Sequence, residues 1–135
     1  MFKYHLFVGR FQPPHKGHMY IFDQILKDGG KVCIAIRDVE PDYKNPLFAD
    51  QVKSLWEKIY KNKDEVKIII IPDIASINYG RNVGYSVDEI KVPEHIAEIS
   101  AHEIRKKILE NKSDWKDSVD ESIWEDLKNL LVFFL

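Results

Sequence analysis

The chain has 135 residues, close to one domain at about 150 residues each, and a chain of this size buries enough apolar surface to fold without disulfide or metal staples. Lys and Arg total 20 against 22 Asp and Glu, a net charge of -2; a duplex-binding domain carries a basic excess, so no nucleic acid is expected as partner. The one cysteine, Cys33, excludes a disulfide framework and, within the apolar run from Val32 to Ile36, reads as a small buried hydrophobe. No run approaches the ~18–20 apolar residues of a membrane span, and Met1 to His5 lacks the pattern of a secretory signal. A cytoplasmic protein with no membrane partner is the expectation.

Tyr4 to Gly9 is short, apolar and ended by glycine, which predicts a strand; Tyr20, Ile21, Ile25 and Leu26 then recur at helical spacing after Gly17-His18. Gly29-Gly30 stops that helix, Lys31 to Arg37 reads as a second buried strand, and Asp38 to Pro46 is polar and proline-bearing enough for a surface loop. A second helix fits Phe48 to Tyr60. Ile68 to Ile71, closed by Pro72, is a β-branched run of the kind found in strands covered on both faces. Asn78 to Gly84 predicts a loop and Tyr85 to Val92 an exposed fourth strand. Ser100 and Glu103, three apart before Ile104 and Ile108, form a capping box for a helix ending near Glu110. A last helix is expected from Val119 to Leu131. Strands alternating with helices predict an α/β fold, a Rossmann-like doubly wound parallel sheet in a single domain.

In such sheets ligands bind beyond the carboxyl ends of the strands, and the first strand runs into Gly9-Arg10-Phe11-Gln12-Pro13-Pro14-His15-Lys16-Gly17-His18. Gly9 lets a phosphate approach the backbone, the prolines stiffen the loop, and the helix starting near Gly17 aims its free N–H groups at the same space. His15 and His18, three apart, share a face if the turn is helical, and two imidazole N–H groups can stabilise a phosphate under attack. Against this stands the simpler role of capping or local packing.

The loop resembles the H-x-G-H signature of the nucleotidyltransferase superfamily related to class I aminoacyl-tRNA synthetases. The segment Ile99-Ser100-Ala101-His102-Glu103-Ile104-Arg105 resembles that superfamily's second signature, I-S-x-T-x-I-R, with His102 where threonine is usual. With one domain no anticodon-binding module is expected, and the small transferases are the branch the resemblance implies. The resemblance implies attack by a substrate phosphate on the α-phosphate of ATP or CTP with release of pyrophosphate. His15 and His18 would stabilise the transition state, and Arg105 would hold the β- and γ-phosphates. Gly9, Arg10, Phe11, Gln12, Lys16, Gly17 and Ser100 would line the nucleotide. Mg2+ would bridge the phosphates, largely through water.

Gly-Arg-Phe-Gln-Pro resembles the nicotinamide mononucleotide adenylyltransferases, the archaeal type above all, and so does Ile71-Pro72-Asp73-Ile74. The acceptor implied is nicotinamide mononucleotide. Cytidylyl transfer to glycerol 3-phosphate or a similar phosphorylated alcohol is the alternative, and a catalytically silent nucleotide-binding module is another. Acceptor specificity falls to 38–45 and 78–92, where Tyr79 could stack on a flat ring and Arg81 could hold a phosphate; Asp73, at the end of the third strand, could orient a hydroxyl or cap a loop. His5, His95 and His102 make no set with the loop histidines, so no protein-bound metal is expected. Trp56, Trp115 and Trp124 sit at amphipathic helix positions and are assigned to core or interface. The apolar ending Leu130 to Leu135 suggests burial against a sister subunit in a homo-oligomer.

Overall fold

The computed structural model describes residues 3–134. Its first half runs strand β1 (Tyr4–Gly9), helix α1 (Lys16–Leu26), strand β2 (Lys31–Asp38), helix α2 (Ala49–Ile59) and strand β3 (Val66–Pro72). The strands are parallel in the order β1-β2-β3, with Phe7 level with Ile34 and Ile34 level with Ile68. β2 is central because it is apolar on both sides: Val32, Ile34, Ala35 and Ile36 are fully buried. The first three of these elements and the last three, sharing β2, each form a βαβ unit, and two right-handed crossovers taken in the same direction lay both helices on one face. Phe22 of α1 and Trp56 of α2 accordingly meet there, ring centroids 5.3 Å apart, and Phe7 of β1 packs on Phe22 at 4.9 Å.

The opposite face is different. Leu6 is level with Cys33 and Tyr4 with Lys31, and Leu6 and Tyr4 are 60% and 43% exposed. β3 departs from its sequence pattern too, since it is an edge strand and not covered on both faces; Ile70 is 38% exposed. A continuous β-branched run marks strand conformation but does not distinguish a central strand from an edge.

Beyond β3 the chain is irregular from Asp73 to Pro93, so the strand expected from Tyr85 to Val92 does not form. Asp88-Glu89 interrupts its alternation, and Tyr85 and Val87 stand in solvent with no ladder to join. The short helix α3 (Glu94–Ala97) leads into α4 (Ala101–Leu109), then 3-10 turns at Asp114–Ser118 and Glu121–Ile123, then α5 (Trp124–Phe134). The last helix thus starts five residues later than its apolar spacing suggests: Val119 is extended and the Asp120 carboxylate accepts the Ser122 amide, which favours a tight turn first.

Ile104, Ile108, Trp115, Ile123, Leu127 and Leu131 join the same core as Phe22 and Trp56. Leu131 is buried in the core of its own chain and Leu130 packs partly against it, while the side chains of 133–135 lie outside the described residues. Cys33 is buried, as its neighbours suggested, and that burial pushes its thiol pKa up. Trp56 and Trp115 are core, and Trp124 is half-buried with its indole N–H on the Val119 carbonyl at 2.8 Å. Among the described residues no helix is long and apolar enough to cross a membrane.

Candidate active site

At the carboxyl end of β1 the backbone turns through Phe11 with φ 54°, which swings the Phe11 ring back under Gly9 and into the core. A side chain at Gly9 would have its Cβ 2.9 Å from the Phe11 ring, so this turn needs glycine there. The chain then reaches His15, which is extended (φ -147°, ψ 174°) and caps α1. Its Nδ1 accepts the Gly17 amide at 3.0 Å, and the His18 Nδ1 accepts the His15 amide at 3.1 Å, so two otherwise orphaned N–H groups are satisfied reciprocally. The rings stack 3.7 Å apart at 19°. A Cβ on Gly17 would lie 2.7 Å from His15 Cε1, which explains why the residue between the histidines is glycine.

This geometry fixes the tautomer. A nitrogen that accepts a hydrogen bond carries no proton, so both imidazoles hold theirs on Nε2. Among the described residues neither Nε2 has a hydrogen-bond partner. Burial pushes the His15 pKa down to about 4; burial, and then the neighbouring His15, holds His18 well below the usual histidine range. Both rings are therefore neutral at pH 7, each with one N–H donor available. The capping role and the phosphate-donor role, alternatives in the sequence, use different nitrogens of the same rings.

Gln12 is 6% exposed. Its Nε2 donates to the Leu47 carbonyl at 3.0 Å and its Oε1 accepts the Leu47 amide at 2.9 Å, so its side chain clasps the backbone of the loop before α2. The Gln12 carbonyl accepts a hydrogen bond from Arg105 Nη1 at 2.6 Å. α4 thus places Arg105 beside the H-x-G-H loop, joining the two sequence signatures in space. Burial lowers the Arg105 pKa and the Asp42 carboxylate opposes that shift.

Asp42 closes a turn in the β2–α2 loop, and the amides of Asn45 and Lys44 on its carboxylate, with the Arg10 charge nearby, hold its pKa below the usual range. Arg10 Nη2 is buried without a partner. Arg37 grips Asp73 through Nε and Nη2, at 2.9 and 2.6 Å from one carboxylate oxygen, which also accepts the Ile74 amide. That pair holds the Asp73 pKa down. Arg37 and Asp42 escaped the sequence reading because single charges in loops and at strand ends show no periodicity.

Ser100 caps α4, its Oγ accepting the Glu103 amide at 3.3 Å, the first half of the expected box. Lys16 opens α1 with its side chain in solvent, and His102 is exposed on the first turn of α4. Tyr79 is 68% exposed and Arg81 is exposed as well; neither is brought against the histidines by any contact among the described residues.

Residues 6–53 match the cytidylyltransferase-like family. The chain is 39% identical over 71 residues to a nicotinamide-nucleotide adenylyltransferase of Pyrobaculum arsenaticum, covering 50% of this chain and 40% of that protein. It is 27% identical over 158 aligned positions to the nicotinamide-nucleotide adenylyltransferase of Sulfurisphaera tokodaii, covering 93% and 90%. It is 30% identical over 79 residues to the nicotinamide/nicotinic acid mononucleotide adenylyltransferase of Acinetobacter baylyi, covering 57% and 42%. In the Pyrobaculum and Acinetobacter matches the chain spans about two-fifths of the relative's length. The parallel sheet and the H-x-G-H loop after its first strand lie in and around the segment that is similar to the cytidylyltransferase-like family. The relatives it resembles over these and longer stretches are nicotinamide-nucleotide adenylyltransferases.

Proposed function

We propose that this protein transfers the adenylyl group of ATP to nicotinamide mononucleotide, forming NAD and releasing pyrophosphate. The acceptor phosphate oxygen bonds to the α-phosphorus as the bond to the β-phosphate oxygen breaks. Negative charge grows on the α-phosphate oxygens and the departing pyrophosphate. The observation that carries this reading is the pair of neutral imidazoles whose Nδ1 atoms are both committed to the backbone, leaving two preorganised Nε2–H donors at the start of α1. Arg105 keeps further guanidinium N–H groups for the β- and γ-phosphates, and Arg10 brings a second positive charge.

A magnesium ion suits this site as a companion of the triphosphate. It would be held chiefly through the phosphates and water and would neutralise their charge. Asp73 stays tied to Arg37 in this reading, its second carboxylate oxygen available to an acceptor hydroxyl; Tyr79 and Arg81, both exposed, would stack on the acceptor ring and hold its phosphate.

The test is pyrophosphate release with magnesium, crossing ATP and CTP against nicotinamide mononucleotide, glycerol 3-phosphate and phosphopantetheine. Release confined to ATP with nicotinamide mononucleotide is the expected result. Release confined to CTP with glycerol 3-phosphate would replace it with cytidylyl transfer, and silence in every pair with nucleotide still bound would make the protein a binding module.

A further inference from the structure

We infer that Gln12 is a positioning residue for this reaction, setting where the β2–α2 loop stands relative to Arg105; the inference rests on the transfer proposed above. The amide of Gln12 exchanges a donor and an acceptor with the backbone of Leu47, as a neighbouring strand would, across 35 residues of chain. Both bonds are buried, where losing one partner leaves the other group unsatisfied. The carbonyl of the same residue takes the charged bond from Arg105, 93 residues away. One residue therefore joins the H-x-G-H loop, the loop before α2 and the helix carrying the phosphate arginine.

The joined loop carries charge as well as backbone. Asp42 lies in it, and its carboxylate acts on Arg105 while Arg10 acts on Asp42. A shift of that loop changes the field at both arginines without touching the nucleotide. Leu47 and Ala49 are buried in the core, so the far side of the loop is already anchored, and the Gln12 amide fixes the side that faces the site. Displacement of a reacting group by about 1 Å can cost on the order of 100-fold in rate, so a contact remote from the chemistry can have a kinetic signature.

Two variants test this, read by amide hydrogen exchange at Leu47 and by pyrophosphate-release kinetics. Gln12→Met keeps length and volume and removes both bonds to Leu47 together with the long one to the Arg10 carbonyl. Gln12→Glu keeps the acceptor for the Leu47 amide and loses the donor to its carbonyl, and protonation of the new carboxyl restores that donor. The expected result is faster exchange at Leu47 in both variants and a fall in kcat of about tenfold or more with a smaller change in the KM for ATP. The deficit of Gln12→Glu relative to wild type narrows as the pH is lowered from 8 toward 5.5, which a merely structural bond would not produce. Faster exchange with kcat within twofold of wild type overturns the positioning role, and unchanged exchange at Leu47 overturns the clasp itself. A wild type silent with every acceptor overturns the transfer and this role together, whereas an active wild type beside unaffected variants overturns this role alone.

Discussion

His15 divides its two ring nitrogens: Nδ1 holds the first turn of α1, and Nε2–H is the donor proposed for the phosphate under attack. The two can be separated by substitution. His15→Asn supplies a good helix cap without the ring donor, so its Tm should stay within a few degrees of wild type while turnover falls on the order of 100- to 1,000-fold. His15→Ala should lose as much turnover and in addition about 1 kcal/mol of stability, measured by thermal denaturation. The acid side of the stability profile follows from the same ring. Its pKa falls from an ordinary 6.5 to about 4 on folding, so between those values the unfolded chain binds more protons. The stabilising contribution is complete above pH 6.5 and is lost as the pH falls toward 4. His15→Asn should therefore show a flatter Tm-against-pH curve than wild type across that window; parallel curves would contradict the buried, neutral imidazole.

At the level of elements, α1 and α4 contrast in how much of their role the residue spacing disclosed. The α1 start was legible because His15, Gly17 and His18 each have a local reason to be where they are, and Gly17 must lack a side chain for the ring to reach its amide. Gly17→Ala should push the His15 ring off that amide and lower both turnover and Tm. For α4, capping accounts for Ser100, and Ser100→Ala should cost about 1 kcal/mol in thermal unfolding. Nothing local explains Arg105; its contact with Gln12 comes from the fold. Gln12 itself was legible as part of a nucleotide loop but not as a clasp on Leu47, because the partner is a backbone peptide that any residue would supply. Tyr85 to Val92 shows the reverse failure: a run of strand-forming residues stays irregular where no neighbouring ladder receives it.

Over the whole molecule, periodicity revealed the alternating strands and helices, since each strand sends apolar side chains into the shared core, Phe7, Ile34 and Ile68 among them. It did not reveal which faces would be covered, because coverage depends on the direction of the crossovers. The asymmetry is testable by denaturation: Ile34→Ala, in the covered layer, should cost about 2–5 kcal/mol, while Leu6→Thr, on the open face, should cost less than about 1 kcal/mol. The bond from Arg105 to Gln12 has a consequence in time as well as in space. A chain emerging from a ribosome can lay β1, α1 and β2 against one another early, but the loop at residue 12 gains its last partner only after α4 has been made. The sheet is thus available before the site is complete, and a nascent chain stalled short of residue 105 would carry both histidines without the arginine that meets their loop.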